Sequence, residues 1–256
     1  MMEESEKYGL DEKGSSRRKF LRNSGVAAGG VVVGSVLGGL IGFGGEKQHQ
    51  APKTEHEHAA PAANPNAALM FFTPDQYQTT IAATERIFPA DENGPGAADL
   101  NVAIYIDHQL ASPWGINAKD YMLGAFYKAE ATQQEQVRIL RKDLFLLGLK
   151  GLDDYSGNKF DSKFTSLEGE QQDEILTEFE NGEYKLSGVS SSIFFDLLRI
   201  LTIEGAYADP MYGGNKDMEG WAMRKFPGSR MNYNNEVVSK EFIELEPESL
   251  QSHMGH

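Results

Sequence analysis

One short stretch of the chain has the residue types and spacing of a metal site. Glu55 and His58 form an E-x-x-H string, and carboxylate-bridged di-iron bundles use this spacing to place two ligands on one helix face. That chemistry needs a second such pair on a packed neighbouring helix and further carboxylates, whereas this string lies in a proline-flanked linker. The pattern therefore predicts adventitious metal affinity and no catalytic centre.

The rest of the chain offers no recognisable catalytic group. It has no cysteine, which excludes disulfides, thiolate metal sites, iron–sulfur clusters and a cysteine nucleophile. It also lacks a dinucleotide-binding glycine motif, a Walker loop and a nucleophile elbow. His108 is predicted to cap a helix or to lie on the surface, and the adjacent Asp107 to cap or pair locally. His253 and His256 are predicted to lie in a frayed end. We therefore expect no cofactor, metal or catalytic residue in this chain.

The charge of the chain restricts its partners. The formal net charge is −14, so the phosphate backbone of nucleic acids and anionic lipid headgroups would repel the protein. The simplest meaning of this charge is solubility. An acidic face matched to a basic protein partner is the alternative.

The N-terminal segment, residues 1–45, has the features of an export signal. Arg17 and Arg18 precede Phe20 and Leu21, and a glycine-rich uncharged run follows. This arrangement is typical of a twin-arginine signal, which directs already folded proteins through the Tat translocase to the outer face of the cytoplasmic membrane. A chance arginine pair before an ordinary transmembrane helix is the alternative.

Residues 46–70 are rich in proline, alanine and polar side chains, which predicts a flexible linker. An A-x-A cleavage pattern occurs only far downstream of the apolar run, at Ala60-Pro61-Ala62. Both a cleaved signal and an uncleaved one that tethers the protein to the membrane are compatible with this sequence.

Residues 71–256 are predicted to form a single all-α domain with a polar C-terminal tail. No alternating strand pattern persists for more than a few residues. Helical periodicity and capping residues predict helices at 74–88, 97–110, 119–129, 133–149, 167–180 and 192–208. The last is the most apolar, so we expect it at the centre of the domain.

Particular residues are expected to start, orient and end these helices. Thr73 and Pro74 begin the first helix, Thr165 and Glu168 form a capping box, and Asn181-Gly182 ends the fifth helix. The predicted buried stripes are Tyr77, Ile81 and Thr84 or Ile87 in the first helix, and Val137, Leu140, Leu144 and Leu147 in the fourth.

The segment from Glu204 to Tyr233 is the most unusual of the body. Asp209-Pro210 ends the apolar helix, and Gly213-Gly214-Asn215 is predicted to form a tight turn with positive φ angles. Large side chains crowd this segment, namely Met211, Tyr212, Trp221, Met223, Phe226, Met231 and Tyr233. They could pack the loop onto its own domain, or they could present anchors to a protein partner.

Several short strings in the body carry a family resemblance: Asp209-Pro210, Tyr212-Gly213-Gly214-Asn215, Gly220-Trp221 and Phe226-Pro227-Gly228, with Ile87-Phe88-Pro89, Gly96-Ala97 and Ile106-Asp107 in support. On these residues the chain resembles the gluconate 2-dehydrogenase subunit 3 family, the small subunits of membrane-bound flavin sugar dehydrogenases. The likeness spans residues 71–233. Arg224-Lys225 departs from the apolar residue and glycine that are common in the family.

The resemblance implies that this chain has an accessory function and does not itself catalyse a reaction. In such systems a large FAD-dependent subunit of the glucose-methanol-choline oxidoreductase type catalyses the reaction, sometimes with a cytochrome c subunit. The small subunit carries the twin-arginine signal, assists maturation of the flavoprotein and escorts it through the membrane. The implied partner interface consists of Asp209, Pro210, Tyr212, Gly213, Gly214, Asn215, Trp221, Pro227 and Gly228.

Two other functions remain open on the sequence. The chain could be a stand-alone exported helical protein that binds a small ligand, although no sequence feature announces a pocket. It could also be a catalyst in its own right, which would require a base or nucleophile that the sequence does not reveal.

Overall fold

The computed structural model of the protein describes residues 68–127, 130, 133 and 137–254. The predicted export signal with Arg17, Arg18, Phe20 and Leu21, and the linker up to residue 67, lie outside these described residues. Within them, every helix is too short or too polar to cross a bilayer.

The described residues form six α-helices and one small hairpin, joined by turns and 3-10 segments. The helices are α1 (Pro74–Ile87), α2 (Val102–Ala111), α3 (Arg141–Phe160), α4 (Gly169–Glu180), α5 (Ser191–Tyr207) and α6 (Glu219–Met223). The hairpin pairs β1 (Lys185–Leu186) with β2 (Val189–Ser190) in antiparallel register. Short 3-10 turns occupy Phe164–Ser166, Pro210–Tyr212, Lys216–Met218 and Leu250–His253. The predicted predominance of helix is confirmed for this part of the chain.

Helix α5 lies at the centre of the domain. It contacts α1, α2, α3 and α4, and its buried face includes Phe194, Phe195, Leu198 and Leu201. Ser190 is its N-cap and accepts a hydrogen bond from the backbone N–H of Ser192. The sequence predicted the serine start. It also predicted the central position, because this segment is the most apolar of the body.

Helix α1 begins as predicted. Pro74 is its first residue, Thr73 is the N-cap, and the Thr73 and Gln76 side chains bond reciprocally to each other's backbone N–H. The predicted stripe is wrong in part, because the buried residues are Thr79, Thr80, Ala83 and Thr84, while Tyr77, Ile81 and Ile87 are only partly buried. The three threonine hydroxyls donate to carbonyls four residues earlier, which removes the cost of burying them.

The predicted helix at 119–129 is wrong for residues 119–127, which are irregular; residues 128 and 129 are outside the described part. Tyr121, Leu123 and Tyr127 are 80–90% exposed. The apolar residues of this segment are almost contiguous and are interrupted by Gly124. They form no single stripe, so a helix here would gain little from packing on the domain.

Helices α2 and α4 begin later than predicted. An irregular turn precedes α2, with Asn101 in the left-handed region at φ 57°. Before α4, the buried ring of Phe164 holds a 3-10 turn, so the N-cap is Glu168 and the capping box forms with Gln171. The predicted Thr165–Glu168 capping box is therefore wrong, because the helix begins one turn later. The predicted helix end at Asn181-Gly182 is confirmed, with Gly182 at φ 71°.

Helix α3 is shifted towards the C-terminus relative to the prediction. It begins at Arg141 and continues to Phe160, so Val137 and Leu140 precede it. Of the predicted stripe only Leu144 is buried inside the helix. Glycines 148, 151 and 157 lower the helix propensity of this segment, but packing against α5 overrides that preference.

Two glycines of α3 form a matched pair for testing this packing. A Cβ added at Gly148 would lie 2.0 Å from Cδ2 of Phe194, whereas a Cβ at Gly157 would meet nothing within 4 Å. We expect Gly148→Ala to lower the free energy of unfolding by about 1–3 kcal/mol through overpacking. Gly157→Ala should raise it by about 0.5–1 kcal/mol through helix propensity.

Denaturant unfolding of both variants checks this prediction. A stabilising effect of Gly148→Ala would contradict the close approach of α3 and α5.

Candidate partner interface

The carboxyl end of α5 is capped by the loop that follows it, residues 209–228. The last carbonyl groups of a helix have no partner within the helix. Here the backbone N–H of Asn215 donates to the Gly205 carbonyl at 2.9 Å, and the indole Nε1 of Trp221 donates to the Tyr207 carbonyl at 2.8 Å. The predicted interface residues Asn215 and Trp221 thus complete the central helix.

The Asn215 side chain organises this loop from inside. It is fully buried; its Nδ2 donates to the Ala208 carbonyl, and its Oδ1 accepts from the backbone N–H of Gly220, both at 2.8 Å. Asn215 takes a positive φ of 44° and Gly213 one of 103°, as the sequence predicts for a Gly-Gly-Asn turn. An asparagine tolerates this conformation and can bond to backbone groups on both sides.

Two further glycines let the loop lie directly against α5. A Cβ at Gly214 would be 2.2 Å from the Gly205 carbonyl oxygen, and one at Gly220 would be 2.0 Å from the Ala206 carbonyl oxygen. No side chain fits at either position without moving backbone. These glycines are therefore required by the fold, whatever else the loop does.

Asp209 connects the start of the loop to the end of the chain. Its carboxylate is buried and accepts bonds from the backbone N–H of Met211 and from the hydroxyl of Ser229. It also accepts from the hydroxyl of Ser249 at 2.6 Å and the backbone N–H of Leu250 at 2.8 Å. Burial alone would raise the pKa of Asp209, but these hydrogen bonds outweigh burial and hold the pKa below its usual value.

The C-terminal tail is bound to the domain where the sequence predicted a frayed end. The backbone of Glu248 lies beside Pro227-Gly228, and the Ser229 N–H donates to the Glu248 carbonyl at 2.7 Å. His253 Nε2 lies 3.0 Å from the Ser229 carbonyl oxygen and donates to it. The frayed-end prediction is therefore wrong for His253, because polar tail groups satisfy backbone groups of this loop; His256 lies outside the described residues.

A second buried carboxylate, Asp107, holds the beginning of the domain. Its two oxygens accept from three consecutive backbone N–H groups, those of Met70, Phe71 and Phe72, at 2.6–3.1 Å. The neighbouring His108 donates from Nε2 to the Ala68 carbonyl at 3.1 Å. The predicted local role of Asp107 is wrong, because its partners lie 35–37 residues earlier in the chain. The sequence did contain a signal for the buried position of Asp107, namely a carboxylate within an otherwise apolar helix.

The nine predicted interface residues differ in their access to a partner. Tyr212 is the most accessible, at 46% exposed, whereas Trp221 is 4% exposed. Pro210 and Pro227 are partly buried; Asp209, Gly213, Gly214, Asn215 and Gly228 are buried. Their assignment to a partner interface stays a prediction, and Tyr212 is the member that could contact a partner most directly.

Tyr212 borders an open groove between α2 and α5. The groove has a volume of about 640 Å³ and is also lined by Tyr105, Ile203, Glu204 and Tyr207. The Tyr105 hydroxyl donates to Glu204 Oε2 at 3.3 Å. Burial and the negative charge of Glu204 raise the pKa of Tyr105, so this phenol stays protonated.

Arg224 and Lys225, which the sequence analysis set apart from the family resemblance, both make contacts. The Arg224 guanidinium lies 5.2 Å from the centre of the Tyr207 ring, a cation–π arrangement. Lys225 has a positive φ of 52°, and its Nζ lies 2.8 Å from Glu244 Oε1 in the tail. In the part of the chain that the structure describes, no group of three or more His, Cys, Asp or Glu side chains is arranged to hold a metal ion.

The role of Trp221 as a helix cap can be tested by replacing its indole ring. Trp221→Phe leaves the Tyr207 carbonyl without its donor and also removes buried ring volume, so we expect a loss of about 2–4 kcal/mol in the free energy of unfolding. Tyr212→Phe is the matched control, because it removes a polar group from an accessible ring in the same loop, and we expect a change within about 0.5 kcal/mol. Equal losses in denaturant unfolding would contradict the capping role.

The Asp209 network predicts a pH dependence. Because its pKa is lower in the folded state than the unfolded value of about 3.9, Asp209 stabilises the fold above that pH and loses this effect as the pH falls through the folded pKa. We expect Asp209→Asn to cost about 1.5–3 kcal/mol at neutral pH. The difference from wild type should shrink below about pH 4. A difference that stays constant down to pH 2 would contradict the prediction.

Comparison with known proteins agrees with the sequence motifs. The sequence model of the family described as gluconate 2-dehydrogenase subunit 3 matches residues 74–228, which is more than half of the chain. Searches of curated proteins and of solved structures each found no match. The matched range begins at α1 and ends at Gly228, so it contains the five longest helices and the loop that caps α5. The chain belongs to the gluconate 2-dehydrogenase subunit 3 family.

Proposed function

We propose that this chain is the non-catalytic small subunit of a membrane-associated, FAD-dependent sugar dehydrogenase complex. Its family name denotes a subunit of a gluconate dehydrogenase, and membership over residues 74–228 is the observation that carries the proposal. The FAD and the chemistry belong to a large partner subunit of the glucose-methanol-choline type. A cytochrome c subunit could complete the electron path.

The second part of the proposal is that the chain is exported, and it rests on the N-terminal sequence. Arg17 and Arg18 with Phe20 and Leu21 match a signal used by proteins that fold before they cross the membrane. A chain without a recognisable cofactor motif has little need for this route on its own account. We propose that it escorts the flavoprotein, assists its maturation and holds it at the outer face of the cytoplasmic membrane.

The structural features of the loop at 209–228 fit a subunit better than a ligand-binding protein. Asn215 and Trp221 stabilise the end of α5, and neither residue lines the groove beside Tyr212. The groove beside Tyr212 is open to solvent, whereas sites for small ligands usually enclose most of the ligand surface. The alternative, a stand-alone exported ligand-binding protein, would have to use this groove.

Purification of the tagged chain from its native cells tests the complex and its export together. The wild-type chain should be recovered beyond the cytoplasmic membrane with a larger polypeptide that shows the visible absorption of a flavin. The double variant Arg17→Lys with Arg18→Lys should leave both polypeptides in the cytoplasm if the translocase reads the arginine pair itself and not only its charge. Arg22→Lys is the matched control and should behave as wild type.

Two outcomes would contradict the proposal. A colourless protein recovered alone would exclude the flavoprotein partner and favour the ligand-binding alternative. Export of the double-lysine variant at the wild-type level would show that the arginine pair is not the signal.

A further inference from the structure

The tail carries a segment whose apolar side chains are unusually exposed. We call residues 231–243 the C-terminal arm. Within it Val237 and Val238 are each 79% exposed and Phe242 is 95% exposed. Met231 is 74% exposed, and Tyr233 and Ile243 are also exposed. A single exposed apolar residue is unremarkable, but six exposed apolar side chains within 13 residues are a feature of segments that interact with other molecules.

The arm is held to the domain on both sides. Before it, the Ser229 hydroxyl donates to Asp209 of the domain, and Arg230 donates from Nη2 to the Glu246 carbonyl at 2.9 Å, which joins the two flanks of the arm. After it, Glu244 pairs with Lys225, and Glu248 lies beside Gly228. Asp209 then binds Ser249 and Leu250. The arm is therefore a closed loop with fixed ends, so presenting it to a partner costs less conformational entropy than ordering a free tail.

Charge restricts what can cover the arm. The chain has a net charge of −14, so anionic lipid headgroups and a second copy of the same chain would both repel it. The arm contains Glu236 and Glu241 against one lysine, and Glu244, Glu246 and Glu248 follow directly. A different protein with an apolar groove rimmed by basic side chains is complementary to this surface.

We propose that the C-terminal arm binds the catalytic flavoprotein subunit, with Val237, Val238 and Phe242 as the apolar anchors. This inference rests on the proposed function, which supplies the partner. It adds a contact surface outside residues 74–228, the range that the family model matches. Asp209 acts as a positioning residue, because its hydrogen bonds fix the chain that follows the arm.

The test compares affinities for the flavoprotein isolated with the wild-type chain. The variant Val238→Ser with Phe242→Ser should bind it at least about tenfold more weakly, because buried aromatic anchors dominate binding energy. Leu123→Ser is the matched control: Leu123 is 90% exposed but lies outside the arm, and its variant should bind as wild type. Thermal unfolding should be unchanged in both variants, since these side chains are exposed.

The outcomes separate the arm from the proposed function. If no flavoprotein accompanies the wild-type chain, the proposed function fails. If it accompanies the wild-type chain and binds the arm variant equally well, the arm assignment is overturned while the proposed function stands. Equal weakening by Leu123→Ser also overturns the assignment to the arm. The arm assignment is also overturned if the arm variant still binds the flavoprotein but loses self-association or binding to anionic vesicles.

Discussion

The need to satisfy the carbonyl groups at the end of α5 shapes the loop that follows this helix. This helix is central and buried, so water cannot reliably solvate its last carbonyls, and unpaired buried carbonyls are costly. Asn215 and Trp221 supply the donors, and Gly214 and Gly220 allow the loop backbone to approach closely enough. Several residues on which the sequence resemblance rests are therefore, in this chain, residues that complete its core.

Two buried aspartates extend the same principle to the ends of the domain. Asp107 binds three successive N–H groups of the incoming chain, and Asp209 binds the outgoing chain at Ser249 and Leu250. Carboxylates are suited to this role because each can accept several hydrogen bonds, and bonds to a charged acceptor are strong. The backbone of residues 70–72 and the chain that follows the C-terminal arm are in this way each bonded to a buried carboxylate of the domain.

Local signals predicted those parts of the fold that depend on neighbouring residues. Thr73 with Pro74, Ser190, and the Asn181-Gly182 helix end are confirmed because capping is decided within one turn. The predictions failed where distant packing decides. Phe164 shifts the start of α4, packing against Phe194 supports the glycine-containing helix α3, and the apolar segment at 119–127 has no stripe to bury.

The sequence by itself determined the helical class, the central place of α5, the Gly-Gly-Asn turn and the family motifs, because each depends on a local pattern of residue types. Only the tertiary structure decided which motif residues face a partner. Burial depends on residues far apart in the chain: Trp221 is covered while Tyr212 is accessible, and the polar tail returns to Asp209 across 40 residues. Periodicity carries no record of such long-range contacts, since it reflects only the face on which each residue lies.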